Sequence, residues 1–186
     1  GDLLGDHGTW FKSCFYKGAV NIPFILSAPG QGVPQGQVRT QLVGTEDALP
    51  TLCDLAGVEI PSGIHGRSVR AAMLDPRAPH RECYVSQTGD APDQSYMAFD
   101  GRWKYIYSAL EATEELYDTA DDPGELRNIV ADQRSRAAEM RGFLTDWCRG
   151  RGDRQMLDAK GDLVRAAFEP ERHTHTPRQV MGWRPY

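Results

Sequence analysis

The sequence predicts an α/β fold, in which part of a mixed sheet with helices is followed by a small antiparallel β subdomain packed on one helix. Three observations support this class. Residues 22–26 form a short apolar run without alternation, which is typical of a strand buried on both faces. Residues 48–56 carry apolar side chains at helical spacing. Two β-prone runs flank Asp100-Gly101, a dipeptide that favours a two-residue hairpin turn.

The first region is predicted to contain one strand and one helix. The apolar run over residues 22–26 ends at Pro29-Gly30, which is a loop signal. Thr45 and the two acidic residues after it can cap the start of a helix, and the acidic charges interact favourably with the helix dipole there. Gly57 ends that helix. Its predicted apolar stripe consists of Ala48, Leu49, Leu52, Leu55 and Ala56.

The second region is predicted to be antiparallel β with one helix. Strands are expected over residues 82–86, 96–99, 102–107 and 115–117. A helix from residue 132 to 149 would cover one face of this sheet with side chains at helical spacing, namely Ala137, Met140, Phe143 or Leu144, and Trp147. Beyond residue 150 the pattern weakens to a tail with a short helix over residues 157–168.

Composition excludes several classes of function. The 186 residues carry a formal net charge of −5, and because basic residues are interspersed with acidic ones, we expect no nucleic-acid partner. No apolar stretch approaches the roughly 20 residues of a membrane span, so we expect no membrane partner. The cysteines lack the short paired spacing of a zinc site and are predicted to be buried thiols: Cys14, Cys53, Cys83 and Cys148. Nothing in the residues indicates a compartment.

Residues 1–12 carry the most informative motif. They read Gly-Asp-Leu-Leu-Gly-Asp-His-Gly-Thr-Trp-Phe-Lys, a string that resembles the metal- and anion-binding loop of type I sulfatases, members of the alkaline phosphatase superfamily. In that family an Asp-His-Gly triplet binds a divalent cation and a later lysine contacts the sulfate. The family spacing, counted back from Lys12, places the metal-binding histidine just before Gly1. Counted forward from His7, the same spacing reaches Ala19, which cannot bind an anion.

The resemblance assigns roles within this loop. It implies that Lys12 is the catalytic lysine that contacts the sulfate, and a compact ammonium suits such a point contact. His7 is then a loop histidine at the rim of the substrate pocket, and the chain holds no metal ligand of its own. In the less favoured register, Asp6 and His7 are the metal ligands. Without the resemblance, Lys12 would be interpreted as a solvated loop lysine.

The resemblance continues in the expected order to about residue 149. Residues 47–57 look like the family's Asp-x-x-Pro-Thr-Leu-x-x-Leu-Ala-Gly helix, and residues 63–69 resemble the step that follows it. Residues 116–128 carry a Leu-Tyr-Asp...Asp-Pro-x-Glu-x-x-Asn string, which we interpret as a capped turn between a strand and a helix. Lys17 and Asn21 stand where many relatives have glutamate and arginine, so the motif does not define the substrate.

The resemblance also implies a domain organisation. Residues 1–75 would be the C-terminal part of the sulfatase-like α/β catalytic domain and of its mixed sheet. Residues 76–150 would be the C-terminal subdomain of antiparallel sheet plus helix. Residues 151–186 would be an extended tail.

The nucleophile of these enzymes is missing from the sequence. Sulfatases of this type oxidise a cysteine or serine in Cys/Ser-x-Pro-x-Arg to formylglycine. No cysteine here begins that motif, and residues 27–31 come closest but have Gln31 in place of the arginine. The resemblance therefore implies a parent enzyme whose formylglycine, and whose main ligands for calcium or another divalent cation, lie upstream of Gly1. We expect the chain to be inactive alone.

Such a chain is expected to need partners. These are a small sulfated substrate and the missing N-terminal part or another chain, because residues 1–74 would otherwise expose apolar faces. In the tail, His173 and His175 are candidates for a metal pair or a substrate contact, although a solvated segment is the preferred interpretation. A further alternative is a homo-oligomer in which the tail wraps a neighbouring subunit and buries residues 181–183.

Three functional hypotheses follow. The first is the C-terminal fragment of a sulfatase that hydrolyses sulfate esters. The second is a phosphodiesterase or phosphonate monoester hydrolase of the same superfamily, whose members share this loop. The third is a non-catalytic, sulfatase-like module that binds a sulfated ligand or a partner chain.

Overall fold

The computed structural model describes residues 1–89, 94–151 and 156–164. The protein is a mixed α/β structure with a four-stranded antiparallel sheet and helices, as predicted. The strands lie in sequence order across the sheet: β1 (Tyr84–Thr88), β2 (Ser95–Phe99), β3 (Trp103–Ser108) and β4 (Thr113–Asp118). The helices are α1 (Lys17–Val20), α2 (Ala48–Ala56), α3 (Arg70–Leu74) and α4 (Arg134–Arg151), with 3-10 turns at Asp6–Gly8 and Thr45–Asp47.

The predicted hairpin is formed by β2 and β3. The N–H of Asp100 donates to the carbonyl of Trp103 (3.2 Å), so the two central residues are Gly101 and Arg102, one position later than predicted. Gly101 has a φ of 100°, which a side chain would disfavour. The Asp100 carboxylate accepts the N–H groups of Arg102 (2.9 Å) and Trp103 (2.7 Å) and thereby fixes the turn.

One face of the sheet packs on α4 and forms the main core. Alternate strand residues point to this face, as a pleated strand requires, including Tyr96, Ala98, Tyr105, Tyr107 and Leu116. The helix buries Ala137, Met140 and Leu144 against them, with Phe143 and Trp147 partly buried beside them. The predicted helix is confirmed, and its bounds lie two residues later at each end.

The opposite face is covered by the segment around α1. Phe15 is buried there in one cluster with Met97, Ile106 and Tyr117. Lys104 points to the same face, because it alternates with Tyr105 along β3. The sheet is therefore packed on both sides, and the second side is supplied by the segment that directly follows the loop of residues 1–12.

The edge beside β4 is closed by one asparagine. Oδ1 of Asn128 accepts the N–H of Leu116 (3.0 Å), and its amide nitrogen donates to the carbonyl of Glu114 (3.1 Å). The N–H of Ile129 also donates to the carbonyl of Leu116 (2.9 Å). Asn128 thus satisfies backbone groups that a fifth strand would otherwise pair, and the capped-turn interpretation of the Leu-Tyr-Asp string is confirmed.

Two predictions for the first region require correction. The strand predicted over residues 22–26 is wrong, because all strands in the described residues lie beyond residue 83 and Ile25 is 89% exposed. A strand needs a hydrogen-bonded neighbour, and none of the described strands reaches this segment. The helix that ends at Gly57 is confirmed, but Leu49 and Leu52 of its apolar stripe are 51% and 58% exposed.

Several smaller predictions can also be compared with the structure. All four cysteines lie in the described residues; Cys148 is buried, the other three are partly buried, and no disulfide joins them. The short helix predicted from residue 157 is wrong up to residue 164, where Leu157 and Leu163 form a β-bridge instead. The rest of that helix, the pair His173 and His175, and residues 181–183 lie outside the described residues. None of the described helices is long and apolar enough to cross a bilayer.

A buried carboxylate joins α2 to the segment that leads into β1. Asp47 accepts the N–H groups of Gly44 (2.9 Å) and Arg67 (2.7 Å), and both of its oxygens contact the guanidinium of Arg81. Nε2 of His80 lies 3.3 Å from the same carboxylate. Burial alone would raise the pKa of Asp47, but the hydrogen bonds from Arg81, Arg67 and Gly44 outweigh it and lower this pKa to about 2.

We expect Leu144→Ala to lower the free energy of unfolding by about 2–5 kcal/mol, because it empties part of the core between α4 and the sheet. Leu126→Ala is the matched control, since that side chain is 81% exposed and its loss should change stability by less than about 0.5 kcal/mol. Urea denaturation of both variants tests this. Equal effects of the two substitutions would contradict the core described here.

We expect Asp47→Asn to destabilise the fold by roughly 3 kcal/mol at neutral pH, because it removes the closest counter-ion of the buried Arg81 and leaves it only the more distant Glu46. The folded pKa of Asp47 lies below its ordinary value, so its contribution is full above about pH 4 and is lost as the pH falls toward 2. Unfolding free energies of wild type and variant should therefore converge across that window. Asp75→Asn, in an exposed pair with Arg77, is the control and should have little effect.

Candidate functional site

Residues 1–12 form a hairpin-like loop. The N–H groups of Leu3, Leu4 and Gly5 donate to the carbonyls of Phe11 (3.1 Å), Trp10 (3.4 Å) and Thr9 (3.0 Å). The 3-10 turn Asp6–Gly8 forms its tip. Gly5 and Gly8 have φ values of 106° and 70°, so the two glycines allow the chain to reverse within a few residues.

His7 docks the tip of the loop on the C-terminal subdomain. Its Nε2 lies 3.1 Å from the carbonyl of Gly124, and because a carbonyl only accepts, this contact requires a proton on Nε2. The imidazole also stacks on Tyr16, with ring centroids 3.8 Å apart and an angle of 2° between the planes. His7 is therefore held from two sides, and only Nδ1 remains available for another group.

Tyr16 is itself anchored by a carboxylate. Its hydroxyl donates to Glu115 (3.2 Å), and the hydroxyl of Tyr117 donates to the same oxygen (2.8 Å). Burial raises the pKa of both phenols, and the neighbouring carboxylate raises that of Tyr117 further. Both hydroxyls therefore stay protonated at neutral pH and act as donors.

Lys12 lies at the end of the loop and is exposed. Trp10 and Phe11 before it are 67% and 65% exposed. None of the hydrogen bonds or ion pairs among the described residues involves the Lys12 side chain, so its ammonium can meet an anion without breaking an internal contact. Asp6 and His7 line a cavity of about 320 Å³ together with Lys17 and Glu125, and Lys12 lies outside that lining.

The base of the loop is fixed by a buried ion pair. Lys104 and Glu125 contact each other directly, and their side chains are 5% and 1% exposed. The other carboxylate oxygen of Glu125 accepts the N–H of Lys17 (2.6 Å), and the ammonium of Lys104 donates to the carbonyl of Phe15 (2.9 Å). Burial lowers the pKa of Lys104, and the carboxylate of Glu125 opposes this effect.

The described residues offer no complete metal site. No group of three or more His, Cys, Asp and Glu side chains in this part of the chain is placed to hold a metal ion. In the less favoured register, Asp6 and His7 would therefore need further ligands from elsewhere. The roles of Lys12, His7 and Asp6 stay predictions.

The sequence did not single out the residues that hold this loop. Lys104 and Glu125 are separated by 20 intervening residues, and one sequence gives no sign that two opposite charges meet across that distance. The available signals were a lysine inside an apolar strand and the glutamate of the Asp-Pro-x-Glu string. Tyr16 stands directly before Lys17, one of the two positions where the motif departs from the family's pattern, and no sequence motif assigned it a role.

Comparison with known proteins identifies the family. Residues 5–145 match the family model described as N-sulphoglucosamine sulphohydrolase, C-terminal. The chain belongs to the sulfatase family. A Delta 4,5-hexuronate-2-O-sulfatase of Bacteroides thetaiotaomicron is 31% identical over 195 residues, which cover 94% of this sulfatase chain and 38% of the relative.

Solved structures agree with this assignment. A 2-O GAG sulfatase superposes with a TM-score of 0.75 at 30% sequence identity. The superposition covers 95% of this chain and 39% of the chain of that sulfatase. A phosphonate monoester hydrolase from Silicibacter pomeroyi shares the fold, with a TM-score of 0.68 at 24% identity over 91% of this chain and 38% of its own. The sulfatase chain thus spans less than two fifths of the length of these relatives, and the resemblance inferred from its motifs is confirmed.

Proposed function

We propose that these residues form the C-terminal part of a sulfatase that hydrolyses sulfate esters. The observation that carries this proposal is the family match over residues 5–145, which includes the tip of the loop and the lysine after it. A sulfated uronate-containing saccharide is the favoured substrate class, because the similar Bacteroides thetaiotaomicron protein is a Delta 4,5-hexuronate-2-O-sulfatase.

Within this proposal, Lys12 contacts the sulfate. Cleavage of a sulfate ester moves negative charge among the oxygens around sulfur, so a fixed cation stabilises the transition state. The Lys12 ammonium is exposed and its loop is docked at Gly124 and at Glu125. Formylglycine would supply the nucleophile and a divalent cation would polarise the sulfate, and both would be held mainly by residues outside this chain. His7 then lies beside the substrate rather than on the metal.

Two alternative functions would use the same loop. A phosphodiesterase or phosphonate monoester hydrolase would use Lys12 for a phosphorus-bound oxygen, and the fold shared with the Silicibacter pomeroyi enzyme favours this candidate. A sulfatase-like module without catalysis would use the same exposed ammonium only to bind a sulfated ligand. Substrate selectivity and turnover separate the three.

The native protein that contains these residues should hydrolyse a 2-O-sulfated uronate disaccharide or an aryl sulfate faster than the matching phosphate and phosphonate esters. Lys12→Ala should lower kcat/KM at least about 100-fold, because it removes a charge that stabilises the transition state. Residues 1–186 alone should hydrolyse none of these esters, since they hold no formylglycine motif.

Lys160→Ala is the matched control, because Lys160 lies in an exposed turn that is remote in sequence from the loop. The kcat/KM of this variant should stay within about twofold of the wild-type value. Preference for the phosphonate ester would favour the first alternative. Tight binding of the sulfated disaccharide without turnover by the native protein would favour the second.

We also propose that the apolar residues exposed in the first region contact the rest of the sulfatase polypeptide. They include Leu49 and Leu52 on α2, and Ile25 and Val38 in the irregular chain that precedes it in sequence. An apolar helix face that stays in water is unfavourable by about 25 cal/mol per Å². This surface therefore suits a covering partner, which in a free chain would be a second copy.

The isolated 186-residue chain should self-associate at micromolar concentration, and Leu49→Gln with Leu52→Gln should weaken that association. The reason is the loss of apolar area on α2. Analytical ultracentrifugation measures it, with Leu126→Gln as an exposed-leucine control that should change nothing. A wild-type chain that stays monomeric at high concentration would contradict the proposed surface.

A further inference from the structure

We propose that Glu125 is a positioning residue for the loop that carries His7 and Lys12, and this inference rests on the proposed function. Glu125 lies in the turn between β4 and α4, on the C-terminal subdomain. Its carboxylate contacts the backbone at Lys17, just after the loop, and the preceding Gly124 carbonyl contacts His7 at the tip of the loop. Lys12 lies between these two attachment points.

The buried ion pair also forms hydrogen bonds with the backbone that follows the loop. A buried pair gains little net stability by itself, because both charges lose their hydration. Here the second carboxylate oxygen of Glu125 accepts the N–H of Lys17, and the ammonium of Lys104 donates to the carbonyl of Phe15. Both charged groups therefore hold the backbone that directly follows the loop, and this backbone would lose a hydrogen-bond partner if either side chain were removed.

The turn that contains Glu125 has an unusual backbone conformation. Glu125 has a φ of 55°, in the left-handed region that a side chain disfavours. This conformation lets consecutive residues face the loop, with the Gly124 carbonyl toward His7 and the Glu125 carboxylate toward Lys17. This disfavoured conformation allows both the Gly124 contact and the Glu125 contact with the N-terminal segment. It indicates that the turn is shaped to hold that segment.

The loop buries few apolar side chains of its own. Residues 4–13 are all exposed, and burial resumes only at Leu3 before them and Phe15 after them. The position of this stretch therefore depends on the contacts of His7 with Gly124 and Tyr16, and on the contact of Glu125 with Lys17. A displacement of about 1 Å in a catalytic group can cost on the order of 100-fold in rate, so such contacts matter for catalysis.

The decisive variant is Glu125→Gln in the native protein that contains these residues. The amide oxygen can still accept the N–H of Lys17, but it cannot neutralise Lys104. We expect kcat/KM for the sulfate ester to fall about tenfold or more, mainly in kcat, with the protein still folded by circular dichroism. Because Glu125 acts through the loop, Lys12→Ala with Glu125→Gln should be no worse than Lys12→Ala alone by more than about twofold.

Hydrogen exchange gives a readout that does not need activity. In Glu125→Gln, the amides of residues 3–17 should exchange at least about tenfold faster. Glu111→Gln, at an exposed glutamate, should change neither exchange nor kcat/KM. Leu144→Ala destabilises the other face of the sheet and, at a temperature where it is folded, should leave the loop amides and kcat/KM near wild type.

Two results would overturn the inference: multiplicative losses in the double variant, or unchanged exchange over residues 3–17 in Glu125→Gln. The inference would also be overturned if Glu125→Gln lost exchange protection throughout the sheet to the same extent as Leu144→Ala. Glu125 would then contribute to the stability of the whole fold and not specifically to the position of the loop. A native protein without sulfatase activity would contradict the proposed function, and the exchange experiment would still decide whether Glu125 holds the loop.

Discussion

The buried contact between Lys104 and Glu125 is the interaction on which the arrangement of this chain depends. One partner comes from the centre of the sheet and the other from the turn after its last strand. Each has hydrogen-bonding capacity left over once the charges meet, and both use it on the backbone at Phe15 and Lys17. The pair therefore joins the sheet, the turn and the N-terminal segment in one contact.

The two faces of the sheet serve different purposes. The face against α4 is mainly apolar, and it supplies most of the burial that stabilises the sheet. The other face mixes an apolar cluster around Phe15 with the charged pair and with the Tyr16, Tyr117 and Glu115 hydrogen bonds. Directional contacts fix geometry more closely than apolar ones, and this is the face that receives the candidate site.

Local signals predicted the local structure well. The hairpin followed from Asp100-Gly101, α4 from apolar spacing, and α2 from apolar spacing and the glycine that ends it. The predicted cap from Thr45 is not formed, and the Asp47 carboxylate accepts the N–H of Gly44 instead. The strand over residues 22–26 failed for a different reason. The segment is apolar, as a buried strand would be, but a strand forms only beside a hydrogen-bonded neighbour. A single segment cannot specify that neighbour. The exposed stripe of α2 shows the same limit, because periodicity identifies a face without identifying what covers it.

The site shows this limit most clearly. The motif assigned the sulfate contact to Lys12. An exposed lysine has a flexible stem, however, so its ammonium is useful for catalysis only where the backbone beneath it is held. In this chain, that backbone is held by Gly124, Glu125 and Lys104, more than eighty residues away in sequence. A motif can therefore name the chemical group, whereas the position of that group is a property of the folded chain and is encoded in residues whose own local pattern indicates only a turn and a strand.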